Sequence, residues 1–543
     1  MFKVLVSDPI AKEGIARLKA ATQQEADLEV ELKTGLSKAE LVQIIGNYDG
    51  LIVRSETKVT AEVIRAATKL KVVARAGVGV DNIDVEAATE RGVIVVNTPN
   101  GNTLAACEQA FLLILATARK LYPATVSLKA GKWERKQFIG VELAGKTLGI
   151  VGLGRIGTEI AKRASVFDMR VVAYDPFVQP AYAEKQGIEL VSLAEVYAQA
   201  DFITVHSPLL PETQHMISHE AFNQMKPGVR IINAARGGII DEAALLEALQ
   251  NGKVAAAGLD VFEQEPPPAD YPLLQLPNVV VTPHLGASTE EAQIKVAVDA
   301  ADSVVAALNG ELVPNAVNLP GLSREALVEL KPYLTLSEKL GRLAKALSDG
   351  PIERVEIWCQ GETQPNYARL IGVTALQGLL QGTSADEPVN LVNARYLAQR
   401  QGLEVVEQST KEEGQFSGLT ISLRVQSQDK AEAENTTGLR TFDGTLVNGE
   451  PRIVRVNGYA LEVAPVGYLL ISRHIDKPGM IGKMGTALGN YGINIASMDV
   501  GRRQPGGEAV MILSVDEVVP PEIIQELSKI PGVENLRFVS LND

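Results

Sequence analysis

The sequence predicts an α/β protein. It has parallel sheets flanked by helices in its N-terminal part, then a further α/β unit, then a small βαββαβ unit at its end. Three observations predict this. Apolar runs of strand length alternate with stretches of helical periodicity from Phe2 to Leu308, the rhythm of βαβ units. A glycine-rich turn, Gly152-Leu153-Gly154-Arg155-Ile156-Gly157, separates one such run from a helical stretch. From Gly467 onward the order reads strand, helix, strand, strand, helix, strand.

The first unit has expected strands at Val4 to Ser7, Gly50 to Val53, Val72 to Ala74 and Ile94 to Asn97, each a short apolar run between polar or helical stretches. Thr103 to Leu121, with Phe111, Leu112, Leu115 and Ala118 on one side, is expected as one long helix. Lys146 to Val151 is then a buried strand, Ile156 to Phe167 a helix and Arg170 to Tyr174 the next strand. Further strands are expected at Phe202 to Val205, Arg230 to Asn233, Ala256 to Leu259 and Val279 to Val281, with Glu242 to Gln250 among the helices between them. This repetition implies a doubly wound parallel sheet. A helix from Thr289 to Leu308 leads into Pro314-Asn315-Ala316-Val317-Asn318, which runs back towards the first unit.

Beyond Pro320, Ser384 to Pro388 and Glu407 to Ser417 read as polar loops and Gln426 to Thr437 as a charged stretch, with no chemical motif among them. The tail has strands at Tyr468 to Ile475, Ile493 to Val500, Ala509 to Val515 and Val533 to Leu541, and helices at Pro478 to Tyr491 and Pro520 to Lys529, a ferredoxin-like order. The expected units are therefore 1–98 with 287–318, then 99–286, 319–466 and 467–543.

A net charge of −14 over 543 residues excludes a general surface for nucleic acid or anionic membrane, so an anionic ligand must be met by local arginines. The two cysteines, Cys107 and Cys359, lie far apart without a CxxC pair or a histidine-rich neighbour. They predict a reducing, cytoplasmic setting and no metal site. Met1 to Ile10 lacks a signal pattern, and the apolar run Phe111 to Ala118 is too short to span a bilayer.

The glycine turn carries specific chemistry. Gly152 permits a tight turn, Gly154 lets backbone approach a pyrophosphate, and Gly157 allows close packing of helix on strand. The N-terminal end of that helix offers free N–H groups and positive dipole to phosphates. Asp175, at the end of the next strand, is placed to accept from both adenosine ribose hydroxyls. A 2′-phosphate would meet that charge, so the expected cofactor is NAD rather than NADP, on a Rossmann-type sheet.

Oxidising an alcohol by hydride transfer needs a base for the hydroxyl proton and a cation for the developing carbonyl or neighbouring carboxylate. Five histidines could supply the base. His284 follows a strand in Thr282-Pro283-His284-Leu285-Gly286, at the carboxyl edge where open α/β sheets bind ligands. Glu265, after another strand, could accept from its far ring nitrogen and orient it. Arg236 follows Asn233-Ala234-Ala235, and its planar fork suits a carboxylate. The bland readings, a loop histidine and a surface ion pair, stay open for each residue alone.

In combination these motifs, with Asp260-Val261-Phe262-Glu263-Gln264-Glu265-Pro266, resemble the D-2-hydroxyacid dehydrogenase family over residues 1 to 318. The resemblance implies a flavodoxin-like substrate domain (1–98 and 287–318) and an NAD-binding domain (99–286), with Arg236, Glu265 and His284 catalytic. It implies contacts to NAD from Val78, Gly152, Gly154, Arg155, Ile156, Gly157, Asp175, Ser207, Pro208, Ala234, Ala235, Arg236, Asp260, His284, Gly286 and Ala287. Among these, Asp260 is expected at the nicotinamide carboxamide and Ser207-Pro208 on the adenine or ribose side.

Arg54-Ser55 and Arg75-Ala76-Gly77, with Trp133-Glu134-Arg135-Lys136, are similar to the long-form members acting on D-3-phosphoglycerate, a phosphorylated 2-hydroxy acid. Arg54, Ser55, Arg75, Gly77, Asn100 and Arg135 would then hold substrate. Arg135 could instead serve a neighbouring subunit or face solvent. The region 319–466 occupies the place of those members' intervening domain. The tail resembles an ACT domain, a module that binds amino acids between paired copies. Its resemblance implies an L-serine effector at His474, Asp476, Gly479, Met480, Ile481, Asn494 and Ile495, and a homo-oligomer, dimer or tetramer. A glyoxylate or hydroxypyruvate reductase is the nearest rival, and a nucleotide-sensing corepressor-like binding protein is the rival from another class.

Overall fold

A computed structural model describes residues 1–24, 27–320, 324–348, 350–361, 367–383, 388–411, 418–425 and 439–542. The first sheet is entirely parallel, with strands in the order Leu28–Leu32, Phe2–Val6, Gly50–Val53, Val72–Arg75, Ile94–Val96. The edge strand Leu28–Leu32 escapes the sequence pattern because LEVEL alternates acidic residues where the interior strands run continuously apolar. The helix Glu290–Leu308 returns from the second lobe and packs on the helix Lys12–Gln24 and the strand Val72–Arg75. Its following segment is clipped to the sheet edge. The Val317 N–H donates to the Val95 carbonyl, and the Asn318 side chain accepts from the Val95 N–H and donates to the Val93 carbonyl.

The second sheet has seven parallel strands, in the order Val279–Val281, Val254–Leu259, Val229–Asn233, Phe202–Val205, Thr147–Val151, Arg170–Tyr174, Glu189–Leu190. The order reverses between Thr147–Val151 and Phe202–Val205, which is the crevice where such sheets take ligands. The helix expected from Thr103 to Leu121 is present to within two residues of its end, and a second helix follows it directly. Thr103–Arg119 stops at Lys120, whose φ of 51° is left-handed, and Leu121–Lys129 departs at 65°. Pro123 is tolerated there because first-turn N–H groups lack helical partners in any case. Thr103–Arg119 is largely buried, whereas Leu121–Lys129 buries no residue. Among the described residues no single helix is long and apolar enough to cross a membrane.

The third unit is a six-stranded sheet, ordered Glu404–Thr410, Ile352–Gln360, Gly418–Val425, Leu439–Val447, Glu450–Val456, Tyr459–Val463, with helices Arg324–Ala346 and Ala368–Leu380 packed on each other. The reading of Glu407 onward as loop is corrected. Glu404–Thr410 is a strand, because it pairs in parallel with Arg354 to Gln360. Residues 384–387, 412–417 and 426–437 of the expected loops lie outside the described residues.

The tail sheet is antiparallel, ordered Ile495–Arg502, Glu508–Val515, Tyr468–Ile475, Val533–Ser540. One face, with Leu470, Met511 and Leu513, packs on the helix Met480–Asn490 through Met480, Met484 and Leu488. The other face, with Leu469, Ile471, Val510, Ile512 and Val539, joins one continuous apolar core with Leu336, Leu340, Val355 and Phe442 of the third unit. The tail therefore shares its core with the preceding unit.

Candidate active site

Each glycine of the turn meets a different demand. Gly152 has φ of 98°, and a Cβ there would lie 2.8 Å from the carbonyl carbon and oxygen of His206. A Cβ on Gly157 would lie 2.3 Å from the Gly152 carbonyl oxygen. Gly154 is exposed, a Cβ on it would meet no protein atom within 4 Å, and it caps the helix Arg155–Val166. The open side of Gly154 at a helix N-terminus is the approach a pyrophosphate requires, so these residues fit a dinucleotide.

Asp175 is tied into the turn. Its carboxylate accepts from the Leu153 N–H at 2.9 Å through one oxygen and from the Phe177 N–H at 2.9 Å through the other. A carboxylate has about four acceptor sites, so capacity remains for ribose hydroxyls. Arg155 is exposed beside it and Ile156 half-buried. Across the crevice, the Ser207 hydroxyl donates to the Val151 carbonyl at 3.3 Å, with Pro208 exposed next to it. His206 donates or accepts at Nε2 with Thr204 Oγ1 at 2.8 Å, and burial pushes its imidazole down to about 3, so it stays neutral.

At the carboxyl edge of the same sheet, His284 Nδ1 lies 2.8 Å from Glu265 Oε2. His284 sits in a left-handed turn at φ 53°. Burial alone would raise the Glu265 carboxyl. The bond and charge of His284, the Phe262 N–H and Arg236 bring it below its ordinary value. Beneath it, Glu242 is buried, accepts from the Glu263 N–H at 2.7 Å and from the Tyr271 hydroxyl, and so braces the loop that carries Glu265. Sequence reasoning overlooked Glu242 because nothing local marks it.

Asp260, expected at the nicotinamide carboxamide, is fully buried. Its carboxylate accepts from Thr282 Oγ1 at 2.6 Å, the Leu285 N–H at 2.8 Å, the Gly286 N–H at 2.8 Å and Gln109 Nε2 at 3.3 Å. Four donors and no exposed surface make Asp260 the clamp of the turn bearing His284. Ala234, Ala235 and Ala287 are half-buried, on the loops that carry Arg236 and His284.

Facing this edge, the first lobe contributes its arginines. Asp8, 1% exposed, accepts from the backbone N–H of Arg54 at 2.6 Å and from the Thr57 N–H at 3.1 Å, and so shapes the turn that carries Arg54 and the exposed Ser55. The Arg54 guanidinium has no ion-pair partner among the described residues. Arg75 Nε donates to Asn82 Oδ1 at 3.1 Å, and Asn82 Nδ2 in turn donates to the carbonyls of Arg54 and Thr57. Gly77 and Val78 are fixed through their carbonyls, by the Thr98 N–H and by Asn97 Nδ2. Arg236 crosses to this lobe, with Nε 3.0 Å from Asp81 Oδ2. Asn100 is exposed at the crossing between lobes. No hydrogen bond or ion pair among the described residues joins Arg135 to this cleft. It is exposed on the short helix Arg135–Phe138, beyond the unburied helix Leu121–Lys129.

In the tail, the expected effector residues differ in exposure and partners. His474 is 2% exposed, because residues 470, 472 and 474 of its strand turn towards the helix layer. Met480 is 5% exposed and belongs to the core stripe with Met484 and Leu488. The Asp476 carboxylate is engaged by Arg502 at 2.7 Å, and Asn494 Nδ2 donates to Asp516 at 2.6 Å. Gly479, Ile481 and Asn494 remain exposed, and Ile495 is half-buried at the start of an edge strand.

A glycine turn at the switch point of a parallel sheet, with an acid–histidine pair on its carboxyl edge and a second lobe opposite, defines an NAD-dependent dehydrogenase. Residues 111–286 match the NAD binding domain of D-isomer specific 2-hydroxyacid dehydrogenases, 329–457 the D-3-phosphoglycerate dehydrogenase intervening domain, and 467–532 the ACT domain. The chain is 47% identical to D-3-phosphoglycerate dehydrogenase of Methanocaldococcus jannaschii, with 100% of both chains covered. It is 42% identical to that of Bacillus subtilis, again covering 100% of both. The chain belongs to the D-3-phosphoglycerate dehydrogenase family. Two solved structures match its N-terminal part: a D-lactate dehydrogenase from Aquifex aeolicus complexed with NAD and lactic acid is 28% identical, with a TM-score of 0.52, over 57% of this chain and 96% of that one. A glyoxylate reductase from Paecilomyes thermophila is 31% identical, with a TM-score of 0.54, over 58% of this chain and 98% of that one.

Proposed function

We propose that the chain oxidises D-3-phosphoglycerate to 3-phosphohydroxypyruvate in the cytoplasm, the first step of L-serine biosynthesis, and that L-serine regulates it through the ACT domain. The observation that carries the reading is the juxtaposition of the His284–Glu265 pair and Arg236 with Arg54 and Arg75 of the facing lobe. His284 takes the C2 hydroxyl proton at Nε2, the ring nitrogen that Glu265 does not engage. Glu265 holds the ring and balances the imidazolium that forms. Arg236 binds the substrate carboxylate and polarises the C2 oxygen, while Arg54 and Arg75 neutralise the remaining anionic charge. Bound NAD supplies the hydride acceptor, held by Gly152, Gly154, Gly157 and Asp175. The rival reductase need not hold a phosphate, and the relatives that span the whole chain favour the phosphorylated acid.

Gly479, Ile481, Asn494 and Ile495 remain the surface on which serine would bind, at an edge strand suited to pairing with a second copy. The unburied helix Leu121–Lys129, with Trp133 76% and Ile139 74% exposed beside it, supports a homo-oligomer, dimer or tetramer. In that assembly Arg135 would serve a neighbouring subunit's cleft. The test is NADH formation with D-3-phosphoglycerate against non-phosphorylated 2-hydroxy acids, with and without serine. Preference for a non-phosphorylated acid overturns the substrate, and indifference to serine overturns the regulation alone. His284→Ala is expected to lower kcat by about 10²- to 10⁴-fold.

A further inference from the structure

The loop between Val78 and Asp84 does more than display glycine N–H groups. Two adjacent residues on it each hold an arginine. Asn82 holds Arg75 of its own lobe, and Asp81 holds Arg236 of the opposite lobe, 155 residues away in sequence. The Arg236 guanidinium is fixed at two of its donors: Nε donates to Asp81 Oδ2 at 3.0 Å and Nη1 to the Ala235 carbonyl at 2.6 Å. Its third nitrogen lies against Gly79, where a Cβ would sit 1.7 Å from Nη2. An arginine has five N–H groups in a rigid fork, so three remain for a ligand once two are committed.

We propose that Asp81 is a positioning residue for Arg236, reaching across the cleft to aim its fork at the substrate carboxylate. The proposal rests on the reading of Arg236 as the carboxylate-binding group. Electrostatics favour it. Arg75 is pushed down to about 10 by burial and by the charge of Arg236, with Asp81 opposing that shift, so the carboxylate also relieves repulsion between arginines gathered for an anion. The pair is at the cleft rim, with Asp81 60% and Arg236 28% exposed. An ion pair so exposed adds little to stability. Its value is geometric, because small misplacements of a substrate-binding group cost rate steeply.

The test is steady-state kinetics with D-3-phosphoglycerate on the full chain, for Asp81→Ala, Asp81→Asn and Gly79→Ala, each with and without Arg236→Lys. Asp81→Ala is expected to lower kcat/KM by about 10- to 100-fold, the scale of one charge-assisted hydrogen bond. Asp81→Asn should fall less, since its carbonyl can still accept from Nε. Gly79→Ala keeps the charge of Asp81 but puts a methyl group where Arg236 lies, and should lose activity in the same direction. Melting temperature should stay at the wild-type value for Asp81→Ala and Asp81→Asn. In the Arg236→Lys background, Asp81→Ala should have no further effect, because the residue acts through the guanidinium. An Asp81→Ala protein within about two-fold of wild type, or one losing equally in both backgrounds, overturns the proposal. If Arg236→Lys itself is silent, the role of Arg236 falls and this inference falls with it.

Discussion

Two glycines of one turn should fail in different ways when each becomes alanine. At Gly157 the new Cβ would lie 2.3 Å from the Gly152 carbonyl oxygen, with Ile150 Cγ2 at 3.2 Å on the other side. The first obstacle is backbone, so helix and strand must separate, and such overpacking costs about 1–3 kcal/mol. At Gly154 nothing lies within 4 Å and the backbone is ordinary, at φ −75°. Only the helix-capping preference changes, so the stability cost is at most about 1 kcal/mol. Yet that methyl would stand where the pyrophosphate approaches. Losing one charge-assisted hydrogen bond, about 1.5–3 kcal/mol, weakens NADH binding roughly 10- to 100-fold. Calorimetric titration with NADH and thermal unfolding should therefore separate the variants, Gly154→Ala folding normally but binding weakly and Gly157→Ala melting early. A Gly154→Ala protein that binds NADH as tightly as wild type would refute the placement of the pyrophosphate.

Further outcomes follow from the same geometry. Asp175→Asn removes the charge that a 2′-phosphate would meet, and the kcat/KM ratio of NADP to NAD should rise at least about 10-fold; an unchanged ratio would remove the reason for NAD selectivity. The Glu265 carboxyl is held below its ordinary value of 4.5, so its pairing with His284 stabilises the fold fully above that pH and fades as pH falls through the lower folded value. Wild type should accordingly exceed Glu265→Gln in melting temperature near neutrality and converge with it in acid; a gap that widens in acid would contradict the sign. Charges placed on the uncovered helix and beside it, Val126→Glu with Trp133→Glu, should lower the mass seen by light scattering, and an unchanged mass would show that this face is not an interface.

Much of the architecture was legible because its signals are local. Continuous apolar runs such as Gly50–Val53 and Phe202–Val205 mark strands buried on both faces, and the glycine turn announces itself by spacing. The edge strand Leu28–Leu32 was hidden because one neighbour and partial exposure leave an ambiguous pattern. The helix Leu121–Lys129 was missed because it buries no residue and so lacks a one-sided apolar pattern. In the tail, the burial of Met480 was not legible from its motif. Met480 sits beside a loop suited to a ligand, but the spacing to Met484 and Leu488 turns it into the core.

By itself the sequence determined the order of units, the dinucleotide turn with Asp175, and the choice of Arg236, Glu265 and His284 as candidate catalytic residues. These depend on residue type and short spacing. Only the tertiary structure decided that Asp260 clamps the histidine turn, that Asp81 meets Arg236 across the cleft, and that the tail sheet shares a core with the unit before it. Those facts join residues far apart in the chain, and neither composition nor periodicity records which distant side chain satisfies a buried carboxylate or covers an apolar face.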